Sequence, residues 1–131
     1  MSNTRHVVVL RKDLQLPVGL AIAQGIHASD QFMRKQIWDA KNEGGTPHFA
    51  VAAIDWFHDP YISILAVNCL EDLHALIEHA EREGLQVEKW EDIVPSPTFE
   101  DKSIRALVGI SIGPDDFDKI KIVTGSLPLY N

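Results

Sequence analysis

Short apolar runs alternate with longer amphipathic segments along this chain, which is the pattern of an α/β protein. Residues 6–11 are rich in β-branched side chains and predict a first, buried strand. A helix is predicted from about residue 19 to residue 41, because apolar or small residues recur there every three or four positions. This apolar stripe consists of Ile22, Ile26, Ser29, Met33 and Ile37. Gly44 and Gly45 end the helix.

Three further strands and a second long helix follow the same alternation. The predicted strands cover residues 61–67, 87–93 and 105–112. The helix runs from Glu71 to Gly84, which is the expected C-terminal stop. Its inward face is predicted to consist of Leu73, Leu76, Ile77 and Ala80. Four strands that alternate with helices predict a single three-layer α/β/α domain over residues 1–131, with a four-stranded mixed sheet.

Two shorter segments are harder to interpret. Residues 47–56 are compatible with a helix, with Thr46 as N-cap and Pro47 at the first helical position, and also with a strand. Residues 113–116 (Gly-Pro-Asp-Asp) predict the start of a last short helix, because proline suits the first turn and acidic residues suit the positive end of the helix dipole. Residues 94–102 contain two prolines and predict an exposed loop.

Composition narrows the class of protein. The 131 residues suit one domain, and 45% hydrophobic with 24% charged residues is the balance of a globular chain. No apolar run approaches the roughly 20 residues of a membrane span, and the start lacks the pattern of a secretory signal. Cys69 is the single cysteine, so no internal disulfide is expected. We therefore expect a cytoplasmic protein with no membrane partner.

The formal net charge of −7 disfavours non-specific binding to nucleic acid, because such binding needs clustered lysine and arginine. Local basic patches remain compatible with this charge. The cations do gather at three places, which are Arg11 with Lys12, Arg34 and Lys35 with Lys41, and Lys102 with Arg105.

Few of the common chemical motifs are present. The six histidines show no metal-ligand spacing, and the chain has no phosphate-binding glycine loop and no nucleophile elbow. We therefore expect no metal and no cofactor.

His27 lies in a run of very small residues on the first helix, where Gly25 suggests that another part of the protein or a ligand approaches the helix closely. Asp92 ends a predicted strand, where open α/β sheets place site residues, and Ser96 follows in the loop.

Two stretches of the chain resemble the type 2 peptidyl-tRNA hydrolases. The first is Val-Val-Leu-Arg-Lys-Asp-Leu at residues 8–14, followed by Gly-Leu-Ala-Ile-Ala-Gln at 19–24 and His27-Ala28. The second is Ser-Ile-Gly-Pro at 111–114, followed by Val-Thr-Gly at 123–125 and Leu-Pro-Leu at 127–129. The order and spacing of these motifs agree with the family across nearly the whole chain.

The resemblance also identifies departures from the family pattern. The family's Asp, eight residues after the glycine that ends the second long helix, corresponds to Asp92, and the Thr that follows it corresponds to Ser96. A second family Thr is replaced by Val108, which lacks a hydroxyl. Leu20 stands where the family has the lysine of Gly-Lys. That lysine would hold tRNA phosphate or polarise the ester carbonyl.

The resemblance implies hydrolysis of the ester between a peptide and the 3′ ribose of tRNA, by a cytoplasmic homodimer whose substrate is peptidyl-tRNA. It implies that His27 activates or orients a water, that Asp92 orients this histidine or the water, and that Ser96 hydrogen-bonds the substrate. The implied substrate-binding residues are Gln24, Arg11, Lys12 and Leu20.

The alternative is a non-catalytic member of the same fold that binds a small ligand or a protein partner. In this interpretation the retained cleft is apolar where the enzyme has polar groups. Its predicted lining is Leu20, Ile93, Val94 and Val108.

Overall fold

The computed structural model describes residues 3–131. In this part of the chain, four strands form one sheet, and they are β1 (Thr4–Arg11), β2 (Ile62–Val67), β3 (Val87–Pro95) and β4 (Ser103–Asp116). Over the same residues there are four helices, α1 (Val18–Glu43), α2 (Val51–His58), α3 (Leu70–Arg82) and α4 (Phe117–Thr124). None of these helices combines the length and apolarity that crossing a bilayer takes.

The sheet is mixed, as the sequence predicted, with strand order β2-β1-β4-β3. Strand β1 pairs with β2 in parallel and with β4 antiparallel, and β3 pairs antiparallel with β4. Edge strand β2 is partly covered by the C-terminal tail, because Ala66 N–H donates to the Pro128 carbonyl and Tyr130 N–H donates to the Ile64 carbonyl. The α/β fold class is therefore confirmed.

Helices cover both faces of the sheet. Alternate residues of β1 point to opposite faces, and Val7 and Val9 belong to a core with α3 and α4. Val8 and Leu10 belong to a second core with α1. Two cores on opposite faces of one sheet agree with the predicted three-layer arrangement.

Helix α3 meets the sheet with the predicted face. The four residues of that face are buried, and they are Leu73, Leu76, Ile77 and Ala80. The helix ends at Arg82, and Gly84 follows it with φ +73°, a conformation that glycine adopts without steric cost. The predicted glycine stop is therefore confirmed.

Helix α1 packs on a different face from the predicted one. Ile22, Ile26 and Ile37 are more than half exposed, at 60%, 56% and 54%. The buried side of the helix consists mostly of small residues together with Phe32, and its members include Ala21, Gly25 and Ala28. Small side chains let the helix axis approach the sheet, since a Cβ added at Gly25 would already contact Ile64 Cδ1 at 3.7 Å. The predicted apolar stripe is wrong as a core face.

The segment after α1 forms a helix and not a strand, but its predicted cap is wrong. Helix α2 begins after Ala50, so Thr46 and Pro47 precede it. The helix is held to α1 and β1 by aromatic contacts, in which His6 meets Phe32 and Trp56 edge to face at 4.9 and 5.1 Å between ring centroids.

The prediction that Gly113 to Asp116 opens the last helix is also wrong. Strand β4 continues through Asp116, and α4 begins at Phe117. Asp115 and Asp116 lie opposite Arg5 and Thr4 of β1, and the backbone N–H of Asp116 donates to Asp115 Oδ1 at 2.7 Å. The Gly113–Pro114 bond within this strand is cis.

Candidate active site

Gln24 is the buried centre of a polar cluster between α1 and β3. Its side chain is 2% exposed. The amide Nε2 donates to Asp92 Oδ2 at 3.0 Å, and the amide oxygen accepts a hydrogen bond from Trp90 Nε1. Because both ends of the amide are engaged, its orientation is fixed and its donor faces the carboxylate.

Asp92 is held as a carboxylate of defined orientation. Besides the bond from Gln24, its Oδ1 accepts the backbone N–H of Ile93 at 2.8 Å. The hydrogen bond from Gln24, then that from Ile93, and then the charges of His27 and Arg105 lower the pKa of Asp92 below its ordinary value. Asp92 is therefore ionised at neutral pH, and it lies within β3, three residues before the strand ends.

His27 lies on the next turn of α1 after Gln24, where its charge acts on the Asp92 carboxylate. It is half-buried and stacks on Trp90, with 4.8 Å between ring centroids and 24° between the ring planes. The guanidinium carbon of Arg34 lies 5.7 Å from the same indole ring. The structure therefore brings His27 and Gln24 of α1 together with Asp92 of β3, which follows Gln24 by 68 residues.

Trp90 is the residue of this cluster that sequence reasoning missed. It contacts both Gln24 and His27, so it sets the orientation of both side chains. Strand alternation already put Trp90 and Asp92 on one face of the strand. This alternation could have identified Trp90, because a large indole two residues from Asp92 on the same face of the strand can contact the side chains that surround Asp92.

Ser96 is engaged in its own loop. Its Oγ accepts hydrogen bonds from the backbone N–H groups of Thr98 and Phe99, at 3.3 and 3.1 Å. In the described residues it makes no hydrogen bond with Gln24, His27 or Asp92. Its substrate-binding role stays a prediction.

The two cations at the end of β1 differ in their availability. Arg11 forms a two-pronged ion pair with Asp13, at 3.0 Å for Nε–Oδ1 and 2.7 Å for the second nitrogen, and it also donates to the Leu107 carbonyl. Lys12 is exposed, and its backbone is engaged: its N–H donates to the Val67 carbonyl, and its carbonyl accepts from Gln15 N–H. Lys12 is thus the better placed of the two to meet a phosphate.

The apolar cleft predicted from four residues is not formed as expected. Val94 and Val108 are buried in the core on the α1 face, and Leu20 packs against the same core. Ile93 is 63% exposed, because alternation along β3 turns it away from the face that carries Asp92 and Val94. The four residues therefore do not line one cleft.

A different apolar groove lies on the other flank of α1. It has a volume of about 640 Å³ and lies between α1, β2 and the C-terminal tail. Its walls include Ile22, Ile26, Ile62, Ile64 and Tyr130.

Within residues 3–131, no group of three or more His, Cys, Asp or Glu side chains is placed to hold a metal ion.

The fold and its polar cluster define a small α/β domain with a carboxylate, an amide and an imidazole between its first helix and an edge strand. The family model described as Peptidyl-tRNA hydrolase PTH2 matches residues 4–130, nearly the whole chain. The chain belongs to the PTH2 peptidyl-tRNA hydrolase family. A search of curated proteins finds no match to it.

Proposed function

We propose that this chain hydrolyses the ester that joins a peptide to the 3′ ribose of tRNA. Family membership supports a function like that of peptidyl-tRNA hydrolases. The observation that carries the catalytic proposal is the hydrogen bond from Gln24 to Asp92, beside an imidazole that stacks on Trp90. An ionised, oriented carboxylate beside a histidine is an arrangement that can activate water.

In this mechanism His27 accepts a proton from a water whose oxygen attacks the ester carbonyl carbon. Asp92 stabilises the imidazolium that forms, or orients the water, and Gln24 keeps the carboxylate in place. The tetrahedral intermediate then collapses, the bond from carbon to the ribose 3′ oxygen breaks, and the imidazolium returns its proton to that oxygen.

The developing negative charge on the carbonyl oxygen needs a donor, since Leu20 replaces the family lysine. The start of α1 offers unpaired donors, because Pro17 as N-cap makes no side-chain hydrogen bond to the helix. The N–H groups of residues 18–20 are then free to donate to an anion at the positive end of the helix dipole. These N–H groups lie about 10 Å or more from His27 along the helix axis, so they serve a phosphate of the tRNA and not the oxyanion of an ester attacked at His27.

Replacing Asp92 by asparagine tests this proposal. Asp92→Asn keeps the size of the side chain and removes its charge, so we expect the rate of peptide release from labelled peptidyl-tRNA to fall by about 10² or more. Glu91→Gln is the matched control, because Glu91 is an exposed carboxylate on the same strand, where it pairs with Arg105 at 3.6 Å. Equal activity of the wild type and Asp92→Asn would exclude the carboxylate from catalysis.

A binding function is the second candidate, and two observations favour it. Leu20 packs against an apolar core where the family has a cation, and the groove beside Ile22 and Ile26 is large enough for a small apolar ligand. A protein that releases no peptide, and that co-purifies with such a ligand identified by mass spectrometry, would support this function. A ligand-free protein that hydrolyses peptidyl-tRNA would exclude it.

A homodimer, a protein partner and a cytoplasmic location stay predictions at this stage. Light scattering of the purified chain tests the first, because a dimer doubles the scattering mass at every concentration above its Kd. Fractionation of cells that express the tagged chain tests the third.

A further inference from the structure

One flank of α1 carries a line of polar, cationic and aromatic side chains that starts at the proposed site. Its members follow 4-3-4-3 spacing and therefore share one side of the helix. They are His27, Gln31, Arg34, Trp38 and Lys41. We name this set the basic-aromatic stripe. At 1.5 Å per residue it extends about 21 Å along the helix.

The stripe is continuous with the site through Trp90. His27 stacks on that indole, and Arg34 lies over it at 5.7 Å. Further along, Lys41 Nζ lies 5.6 Å from the ring centre of Trp38, which is 61% exposed. A shallow groove of about 550 Å³ runs between these points and is lined by Gln31, Arg34, Lys35, Ile37 and Trp38.

The charge of the stripe differs from that of the chain as a whole. The chain carries −7, but the stripe contains no acidic residue. Among the residues that the structure describes, no carboxylate lies within ion-pair distance of Arg34 or Lys41, whereas Lys35 beside the stripe pairs with Glu88 at 3.7 Å. Two free cations and an exposed indole thus lie on one flank, and they complement an anionic partner with flat rings.

We propose that the basic-aromatic stripe binds the single-stranded 3′ end of the tRNA and leads it to the ester at His27. One base stacks on Trp38, while Arg34 and Lys41 contact backbone phosphates. Single-stranded nucleic acid is bound in general by aromatic platforms and cations along a groove. This inference rests on the proposed function, because it assigns the path of the same substrate.

Binding of a labelled single-stranded RNA of about eight nucleotides that ends in CCA tests the stripe without requiring hydrolysis. By fluorescence anisotropy at low salt, we expect Trp38→Ala to raise the Kd about fivefold or more, and Trp38→Phe to retain most of the affinity. Arg34→Gln and Lys41→Gln should each reduce the slope of log Kd against log salt by about 0.7.

A second cation–aromatic pair serves as the matched control. Lys121 Nζ lies 5.8 Å from the ring of Phe117 on α4, which packs on the opposite face of the sheet from α1. Phe117→Ala and Lys121→Gln should leave both the Kd and the salt slope unchanged. Thermal unfolding of each variant verifies that the changed chain is folded.

The outcomes separate this proposal from the hydrolytic one. Variants of Arg34, Trp38 and Lys41 that raise KM for peptidyl-tRNA while kcat stays constant support the stripe. A chain that binds the RNA through the stripe but releases no peptide refutes hydrolysis alone. Absence of RNA binding by the wild type, or equal affinity of the folded stripe variants and the wild type, overturns the stripe. Binding of a protein at this flank with no dependence on salt overturns it as well.

Discussion

His6 makes the stability of this protein sensitive to mild acid. The side chain is 0% exposed, and neither ring nitrogen has a hydrogen-bond partner in the described residues. Phe32 and Trp56 meet the ring edge to face, so the site offers aromatic surface and no acceptor for a second proton. Burial lowers the pKa of His6 from 6.5 to about 4.

The sign of the effect follows from which state binds the proton. Between pH 6.5 and pH 4 the unfolded chain protonates this histidine and the folded chain does not, so the free energy of unfolding falls as the pH falls. The stabilisation is complete above pH 6.5. A fall in the pKa from 6.5 to about 4 corresponds to a contribution of about 3 kcal/mol to the free energy of unfolding. About 2 kcal/mol of this contribution is lost by pH 5.

Urea denaturation at pH 7 and pH 5, followed by circular dichroism, measures this loss. We expect the wild-type midpoint to fall by about 1 M urea between the two pH values. His6→Leu removes the titrating group and keeps the site apolar, so it should lose about 2 kcal/mol less than the wild type. His74→Gln changes an exposed histidine of α3 and should follow the wild type. If His6→Leu and the wild type lose equal free energy, then protonation of His6 is not linked to unfolding.

Three further predictions concern the fold and the departure from the family. Gly109→Ala should lower the free energy of unfolding by about 3 kcal/mol, because the new Cβ would lie 2.5 Å from the Val9 carbonyl oxygen. Gly19→Ala is the control, because it adds a methyl in open space and should raise the free energy of unfolding by up to about 1 kcal/mol. Phe32→Ala should lower it by about 4 kcal/mol in urea denaturation, since the buried ring joins α1 to α2, and a loss below about 1 kcal/mol would show that these aromatic contacts contribute little. Leu20→Lys restores a cation beside the site and should raise kcat/KM for peptidyl-tRNA about tenfold, whereas an unchanged value would show that the missing lysine does not limit the reaction.

Much of the candidate site was accessible from the sequence, because the resemblance identified Gln24, His27 and Asp92 by their motifs. Their hydrogen-bonding arrangement was not accessible, since it depends on how closely α1 approaches β3. The same limit applies to Arg11, which was expected to meet substrate. Its ion pair with Asp13 depends on how the chain turns after β1, and the spacing of charges does not reveal that turn.

The sequence by itself determined where most strands and helices lie and which face of α3 is buried, because each of these follows from local periodicity. It also determined family membership through motifs that span nearly the whole chain. Only the tertiary structure decided which side of α1 meets the sheet. Periodicity favoured the larger isoleucines, but burial depends on the distance between helix and sheet, and the small residues Ala21, Gly25 and Ala28 allow the shorter distance. Tertiary structure likewise decided that β4 continues through Asp116, since its partner in that pairing, β1, lies more than a hundred residues away in sequence.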